Sequence, residues 1–239
     1  MDMNEHYRAW LHIRRPDLPH YRSGEEVPMD ARYASLGRDK ASHRGIGQRT
    51  ALRELAAHAV NQAFLEEIAG LTGLEYLELG WPVTATDLAP LRALTNLRHL
   101  VINTPRSITD FTPILDLPLL ERLFIENAKH LTSLDWLRPL KDRLVALGIE
   151  GSLYTAQAIP TLASLEGFAV EGLFLTNTKL ADQDLSAIAA MPNLRFLGTA
   201  LNAPKAQFMA LKAANPELEC QWFDEAIWTS FKDPKPPKR

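Results

Sequence analysis

Apolar residues recur along the chain in a fixed frame, L-x-x-L-x-L, with leucine or a similar residue at its first, fourth and sixth positions. The frame begins at Leu74, Leu97, Leu120, Leu144 and Val170, with a weaker copy at Leu194, so that successive copies lie 23, 23, 24, 26 and 24 residues apart. Because alternate residues of an extended chain point to opposite faces, the fourth and sixth residues share one face. A period of this length indicates a repeat architecture. It predicts short parallel strands stacked around one leucine core.

A second pattern follows each frame. It reads Thr-Asp-Leu-Ala-Pro-Leu at 86–91 and Thr-Asp-Phe-Thr-Pro-Ile at 109–114. The spacing of three between its apolar residues predicts a 3-10 or short α-helical turn that packs on the same core. Asp87 and Asp110 lie where the free N–H groups at the start of such a turn need a cap.

The frame and the Thr-Asp-Leu-x-Pro-Leu element together resemble the leucine-rich repeat family, in its short, internalin-like, bacterial class, over residues 52 to 223. The resemblance implies an α/β fold, a leucine-rich repeat solenoid with a curved parallel sheet on its concave side and short helical turns on its convex side. It implies little about function, because one scaffold hosts many tasks.

The chain departs from this family at the ninth position of the frame, where an asparagine usually ties neighbouring turns together. Only Asn202 matches, whereas the other copies carry Pro82, Pro105, Ala128, Ser152 and Thr178. Asn103, Asn127 and Asn177 lie one or two positions earlier, where they can do a similar job. The sequence therefore predicts the leucine core together with an asparagine ladder that is shifted by one or two positions.

The pattern divides the chain into four segments. Residues 1–48 are predicted to be an irregular amino-terminal segment or cap, 49–217 to hold six to seven repeats, 218–231 to form a closing strand and 232–239 to be a disordered tail. Residues 50–71 can be an amphipathic helix or a degenerate first repeat, and the second is favoured because their leucines keep register with the next unit. Three alternatives remain open for residues 1–48. They can form an irregular cap anchored by Trp10, Leu11, Ile13 and Tyr33, a disordered arm, or a segment that folds on a partner.

Composition narrows the class of protein. The 239 residues are 46% hydrophobic and 23% charged, with a net charge of -3, which is typical of a globular protein and argues against a nucleic-acid or membrane binder. The chain has one cysteine, no apolar run long enough for a membrane helix and no signal-like amino terminus. These features predict a cytoplasmic location.

No catalytic signature is found. The single cysteine, Cys220, is predicted to be a buried structural thiol. Gly45-Ile46-Gly47 lacks the further residues of a dinucleotide or phosphate loop, and no pair of histidines has the spacing of zinc ligands. The chain is therefore predicted not to be an enzyme and to need neither a cofactor nor a metal.

The residues between the core leucines are predicted to line the concave face and to bind a partner. They include an aromatic and aliphatic strip with a charged edge, which is typical of an interaction surface: Tyr76, Glu78, His99, Val101, Arg122, Phe124, Glu126, Glu150, Phe174 and Phe196. Small residues at 148, 172 and 198 leave a shallow trough beside them. The loops at the strand exits make a second, more basic rim with Trp81, Arg106, Lys129, His130, Tyr154 and Lys179.

Four occupants of this face are considered. The favoured interpretation is a non-catalytic module that binds a protein or peptide of unknown identity. The amino-terminal segment or the carboxyl-terminal tail can instead cover the strip, or a homodimer can bury it. An alternative function is a regulatory scaffold that presents Arg122 or Arg106 to a partner enzyme. Binding of RNA or DNA by the basic residues near the amino terminus is disfavoured, because seven acids share that segment.

Overall fold

A computed structural model describes residues 3–12 and 17–231 of the chain. These residues form two compact units. The first comprises residue 12 with residues 17–130, and the second comprises residues 3–11 with residues 131–231.

The first unit is built on a parallel sheet whose strands follow one another in chain order. They are β1 (His20–Tyr21), β2 (Tyr33–Gly37), β3 (Glu54–His58), β4 (Tyr76–Gly80), β5 (His99–Asn103) and β6 (Arg122–Glu126). Short helical segments connect them: the 3-10 helices Ile46–Gln48, Ala89–Ala93 and Thr112–Asp116, and helix α2 (Gln62–Ile68).

The second unit begins with helix α1 (Met3–Trp10) and contains two parallel sheets. The larger has the order β7 (Ala146–Glu150), β9 (Gly172–Leu175) and β11 (Phe196–Thr199), and the smaller pairs β8 (Gln157–Ile159) with β10 (Thr178–Leu180). Its helical segments are the 3-10 helices Asp135–Leu140, Ala163–Leu165 and Gln221–Phe223, and helices α3 (Ser186–Ala189), α4 (Lys205–Ala214) and α5 (Glu225–Trp228). The smaller sheet was not predicted from the sequence.

The register of the strands confirms the leucine frame. Leu77 pairs with Leu100, and Leu100 pairs with Leu123, so that equivalent leucines lie side by side. In the second unit Leu147 pairs with Leu173, which pairs with Leu197. All these side chains are buried. A single frame is too short to enclose a core, so the leucines of each repeat are buried by those of the neighbouring repeats. Both units therefore have the leucine-rich repeat fold that the sequence predicts.

The predicted caps are present at the 3-10 turns. The carboxylate of Asp87 accepts a hydrogen bond from the backbone N–H of Ala89 at 2.8 Å, and that of Asp110 accepts one from Thr112 at 2.8 Å. This bond lowers the pKa of Asp110 below its usual value. Each carboxylate thus satisfies an N–H group that has no partner within the turn.

Asparagines link successive repeats from the shifted positions. The side-chain amide of Asn103 donates to Glu78 Oε1 at 3.2 Å, and that of Asn127 donates to Thr104 Oγ1 at 3.4 Å. Asn127 and Asn177 have φ angles of 53° and 47°, a left-handed conformation that asparagine tolerates better than most residues. The shifted ladder that the sequence suggested is therefore confirmed.

The repeat ladder begins earlier than residue 49. Strand β2 lies within the segment predicted to be irregular, yet it pairs with β3 over five residues, from Tyr33 with Glu54 to Gly37 with His58. The choice of a degenerate repeat for residues 50–71 is confirmed, because β3 is in register with β4 and α2 takes the place of the 3-10 turn. Ile13 and the tail 232–239 lie outside the described residues.

The carboxyl end closes the second unit with helices rather than with the predicted strand. Only Glu219 bridges to Phe196 in strand fashion, and the chain then forms a 3-10 turn and α5. The reason is aromatic packing. Trp222, Trp228 and Phe208 of α4 lie within 6.0 Å of one another by ring centroids, and a helical path brings both tryptophans onto the same cluster.

Candidate functional site

Strands β7, β9 and β11 have a second face, on the side opposite the leucine core. We call it the open face, because the sequence predicts it to be exposed. It consists of the residues that alternate with the core leucines: Ala146, Gly148, Glu150, Gly172, Phe174, Phe196 and Gly198. In the structure each of them is buried. The open face is therefore covered.

Helix α1 covers it. Tyr7 and Leu11 lie four residues apart, so they share one side of the helix, and both are buried. Glu5 in the first turn and Arg8 in the last turn oppose the partial charges of the helix ends. The helix thus presents an apolar side to the open face, and its charged side chains stabilise the partial charges at its two ends.

Tyr7, Arg8 and Leu11 contact the open face. The ring of Tyr7 stacks on Phe196, with centroids 4.0 Å apart and planes 14° from parallel. The guanidinium of Arg8 lies 4.9 Å from the centroid of the Phe174 ring and forms an ion pair with Glu150. Leu11 occupies the trough at Gly172, where a Cβ atom would collide with the leucine side chain.

The electrostatics of the site centre on Glu150. Its carboxylate also accepts a hydrogen bond from the hydroxyl of Thr176, and it is only 5% exposed. A buried carboxylate is costly without a cation, so Arg8 and Glu150 stabilise each other's burial. At the other contact, burial and a hydrogen bond to Glu219 raise the pKa of Tyr7 to about 12.

The expectation of an exposed strip is wrong for its aromatic members. Phe174 is fully buried, and Phe196 is 3% exposed beneath α1. In the first unit Tyr76 and Phe124 are 3% and 5% exposed. The alternative in which the amino-terminal segment covers the strip is confirmed for Phe174 and Phe196, whereas the role of these residues in partner binding stays a prediction.

The polar members of the predicted strip in the first unit are engaged with one another. The hydroxyl of Tyr76 donates to Glu78 at 3.2 Å, and Arg122 contacts His99 Nε2 and Glu121, each at 2.9 Å. The remaining members, Val101 and Glu126, are half-buried. This group is thus held by contacts among its own members and with Glu121 rather than left as an open docking edge.

The predicted rim is exposed in both units. In the first unit Trp81 is 63% exposed, the guanidinium of Arg106 lies 5.8 Å from its ring centroid, and Lys129 and His130 are exposed. In the second unit Lys179 and Tyr154 are exposed.

One loop of the rim carries an exposed apolar pair. Tyr154 is 95% exposed, and Leu153 beside it is 93% exposed. Two adjacent large apolar side chains in solvent are unusual, and such a patch is typical of an interaction site.

Metal-ligating side chains and the single cysteine are the first candidates for catalytic chemistry. No three of their histidines, cysteines and carboxylates come together in a group that could hold a metal ion. Cys220 is buried, as predicted, and burial raises the pKa of its thiol to about 12. A thiol needs a lowered pKa to act as a nucleophile, so Cys220 is a structural residue.

The sequence did not assign a role to Tyr7 and Arg8 on the open face. The available signal was the four-residue spacing of Tyr7 and Leu11, where Leu11 directly follows an eight-residue helix. Such a segment is shorter than the windows of 11 to 18 residues over which helical periodicity is read.

Comparison with known proteins places the chain by its fold. No family model and no curated protein matches the sequence. Among solved structures, an internalin from Listeria monocytogenes is similar at 22% identity with a TM-score of 0.59, and the match covers 80% of this chain and 54% of that one. A leucine-rich repeat protein from Leptospira interrogans is similar at 20% identity with a TM-score of 0.56, covering 85% of this chain and 52% of the other.

These similarities confirm a leucine-rich repeat fold of the internalin kind. The chain spans about half the length of the two solved structures. Within the part of the chain that the structure describes, no helix has both the length and the apolar character needed to cross a membrane.

Proposed function

We propose that this protein is a non-catalytic protein- or peptide-binding module, and that its exposed contact surface is the loop 151–156 between β7 and β8. The observation that carries the proposal is the exposure of Leu153 and Tyr154 at 93% and 95%. Large apolar side chains in water lower the solubility of a protein. Their burial by a partner removes apolar surface from water and so favours binding. Tyrosine at the centre of an interface is a frequent source of binding energy.

The loop that carries these side chains is rigidly held at its base. The backbone N–H of Ser152 donates to Thr155 O at 2.9 Å, and that of Thr155 donates to Ser152 Oγ at 3.0 Å. The N–H of Gly151 donates to Thr176 O at 2.9 Å, and the side chain of Asn177 donates to Ser152 O. A loop fixed in this way loses little conformational entropy when it binds, which favours affinity.

Gly151 is required for this arrangement. A Cβ atom at this position would meet three backbone atoms, the carbonyl oxygens of Asn177 and Thr155 and the nitrogen of Gln157. Backbone cannot move aside as a flexible side chain can, so any larger residue would open the loop. Gly151 is therefore needed for the loop conformation in which Leu153 and Tyr154 are exposed.

The proposal is tested by affinity capture from the native lysate. We expect the chain with Leu153→Ser and Tyr154→Ser to lose a protein that the unchanged chain retains, with at least about a tenfold drop in recovery, since hot-spot truncations cost about 2 kcal/mol or more. The matched control is Leu119→Ser, a change at another exposed leucine, which should retain the protein. Equal recovery of every captured protein by the double variant would contradict the loop as the contact.

A second candidate function is that of a regulatory scaffold that presents an arginine to a partner enzyme. Arg106 suits this role better than Arg122, because it is exposed beside Trp81, whereas the guanidinium of Arg122 is held by His99 and Glu121. We expect Arg106→Ala to remove an effect on the rate of the enzyme while the affinity changes by less than about threefold. Parallel measurements of rate and binding check this, and an equal loss of both would count against presentation.

The cytoplasmic location also belongs to the proposal. It is supported by the presence of a single, buried cysteine, which suits a compartment where disulfides do not form.

A further inference from the structure

Helix α1 has the properties of a bound peptide rather than of a core element. An isolated helix of eight residues is unstable in water, so α1 owes its conformation to the open face on which it packs. The side chains of Tyr7, Arg8 and Leu11 contact that face. The leucine core of β7, β9 and β11 lies on the opposite side of the strands.

The open face specifies the chemistry of its occupant. Glu150 is 5% exposed and needs a cation, because the hydroxyl of Thr176 cannot neutralise a buried carboxylate. Phe174 lies where that cation contacts an aromatic ring, and Phe196 offers a ring for stacking. Gly172 leaves room for one aliphatic side chain. An occupant must therefore bring an aromatic ring, an arginine and a leucine in that order.

Helix α1 meets these requirements but does not fill the space beside it. A cleft of about 420 Å³ remains along the helix, and it is lined by His6, Tyr7, Trp10, Arg195, Glu217 and Glu219. Trp10 remains 46% exposed. Once α1 has left, a longer segment from another protein that carried the same three side chains would also reach Arg195, Glu217 and Glu219, which form the other wall of this cleft.

We propose that the open face of β7, β9 and β11 is a peptide-recognition site, that α1 is its resident occupant, and that the external partner is a helical segment with the same pattern, an aromatic residue followed directly by arginine and three residues later by leucine. The partner competes with α1 for Phe196, Glu150 and Gly172. This recognition site is distinct from the loop 151–156, so the inference holds whether or not Leu153 and Tyr154 bind a partner.

Competition with a tethered helix lowers the apparent affinity of the partner. A tethered segment has an effective concentration of the order of millimolar, and the partner binds only the fraction of molecules in which α1 has left. Weakening α1 by Tyr7→Ser and Arg8→Ser raises that fraction. The double variant should therefore bind the partner more tightly than the unchanged chain.

The test uses a fluorescent synthetic peptide with the sequence of residues 3–12 as the probe. By fluorescence anisotropy we expect it to bind the full-length Tyr7→Ser, Arg8→Ser variant at least about tenfold more tightly than the unchanged chain. Adding Glu150→Lys to that variant should abolish binding, and a peptide that carries Arg8→Glu should restore it. The matched control is Glu166→Lys, a charge reversal at an exposed residue of the same unit, which should leave binding unchanged.

Three outcomes would overturn the proposal. They are equal affinity of the probe for the variant and the unchanged chain, no binding to either, and failure of the Arg8→Glu peptide to rescue Glu150→Lys in a variant whose circular dichroism is unchanged. Hydrogen exchange of the unchanged chain gives an answer that needs no variant. We expect the amides of α1 to exchange at least about tenfold faster than those of β7 and β9, and equal protection would show that α1 is a permanent part of the fold.

Discussion

Replacing Trp222 by alanine is expected to lower the free energy of unfolding by about 3–5 kcal/mol, the range for truncating a large buried aromatic side chain. Trp222 is 3% exposed and belongs to a cluster with Phe208, Trp228 and Phe231. Its indole N–H donates to the carbonyl of Thr199, the last residue of β11, at 2.9 Å. The change removes both the packing and this hydrogen bond.

The loss should be felt most at the carboxyl-terminal repeat. In a repeat protein each unit contacts only its neighbours, so β11 depends on the cap that Trp222 forms. We expect urea denaturation to show the lower stability and hydrogen exchange to show faster exchange in β11 than in β7.

Tyr154→Ala is the matched control for Trp222→Ala. Tyr154 is an aromatic residue of the same unit that is 95% exposed, and a surface substitution normally changes stability by less than about 0.5 kcal/mol. A similar loss in both variants would contradict the assignment of Trp222 to the cap.

Replacing Leu173 and Phe174 separately by alanine is expected to give two different results, although the residues are neighbours in β9 and both are fully buried. Leu173 points into the repeat core, where truncation of leucine costs about 2–5 kcal/mol. Phe174 points to the open face beneath Arg8. Phe174 also contacts the ring of Phe196, with centroids 5.2 Å apart. Because α1 can detach, Phe174→Ala is expected to cost only the docking free energy of α1 and this one aromatic contact.

The measurement is urea denaturation together with hydrogen exchange. Leu173→Ala should lower the free energy of unfolding and increase exchange in β7, β9 and β11 together. Phe174→Ala should increase exchange of α1 by at least about tenfold and change the strands much less. If Phe174→Ala destabilises the strands as strongly as Leu173→Ala, α1 and the strands form one cooperative element, and the division between core and occupant fails.

The repeat fold followed from local rules that are visible in the sequence. A strand reverses the direction of its side chains at every residue, so the spacing of Leu77 and Leu79 already assigned both to one face. Asp87 and Asp110 could be predicted as caps because a cap acts over two residues of the same turn. The asparagine links were visible for a similar reason, since they join residues one repeat apart and the repeat was known.

The candidate site could be predicted only in part. The rim was predicted correctly as exposed, because residues such as Trp81 and Tyr154 lie in loops that follow the strands and have no core to enter. The open-face residues were also assigned to the correct side of the strands. Their exposure was not predicted correctly, because it depends on a segment more than 130 residues away, and the Arg8–Glu150 pair joins residues 142 positions apart.

The period, the register and the leucine core of this protein follow from its sequence, because each of them depends on contacts between equivalent positions of adjacent repeats. The cover of the open face follows from the three-dimensional fold alone, since the pairing of Tyr7 with Phe196 and of Arg8 with Glu150 has no counterpart in any repeating pattern. The aromatic cap around Trp222 was decided in the same way. A repeat extends local rules along the chain, whereas α1 and the aromatic cluster around Trp222 pack against surfaces that no neighbouring repeat supplies.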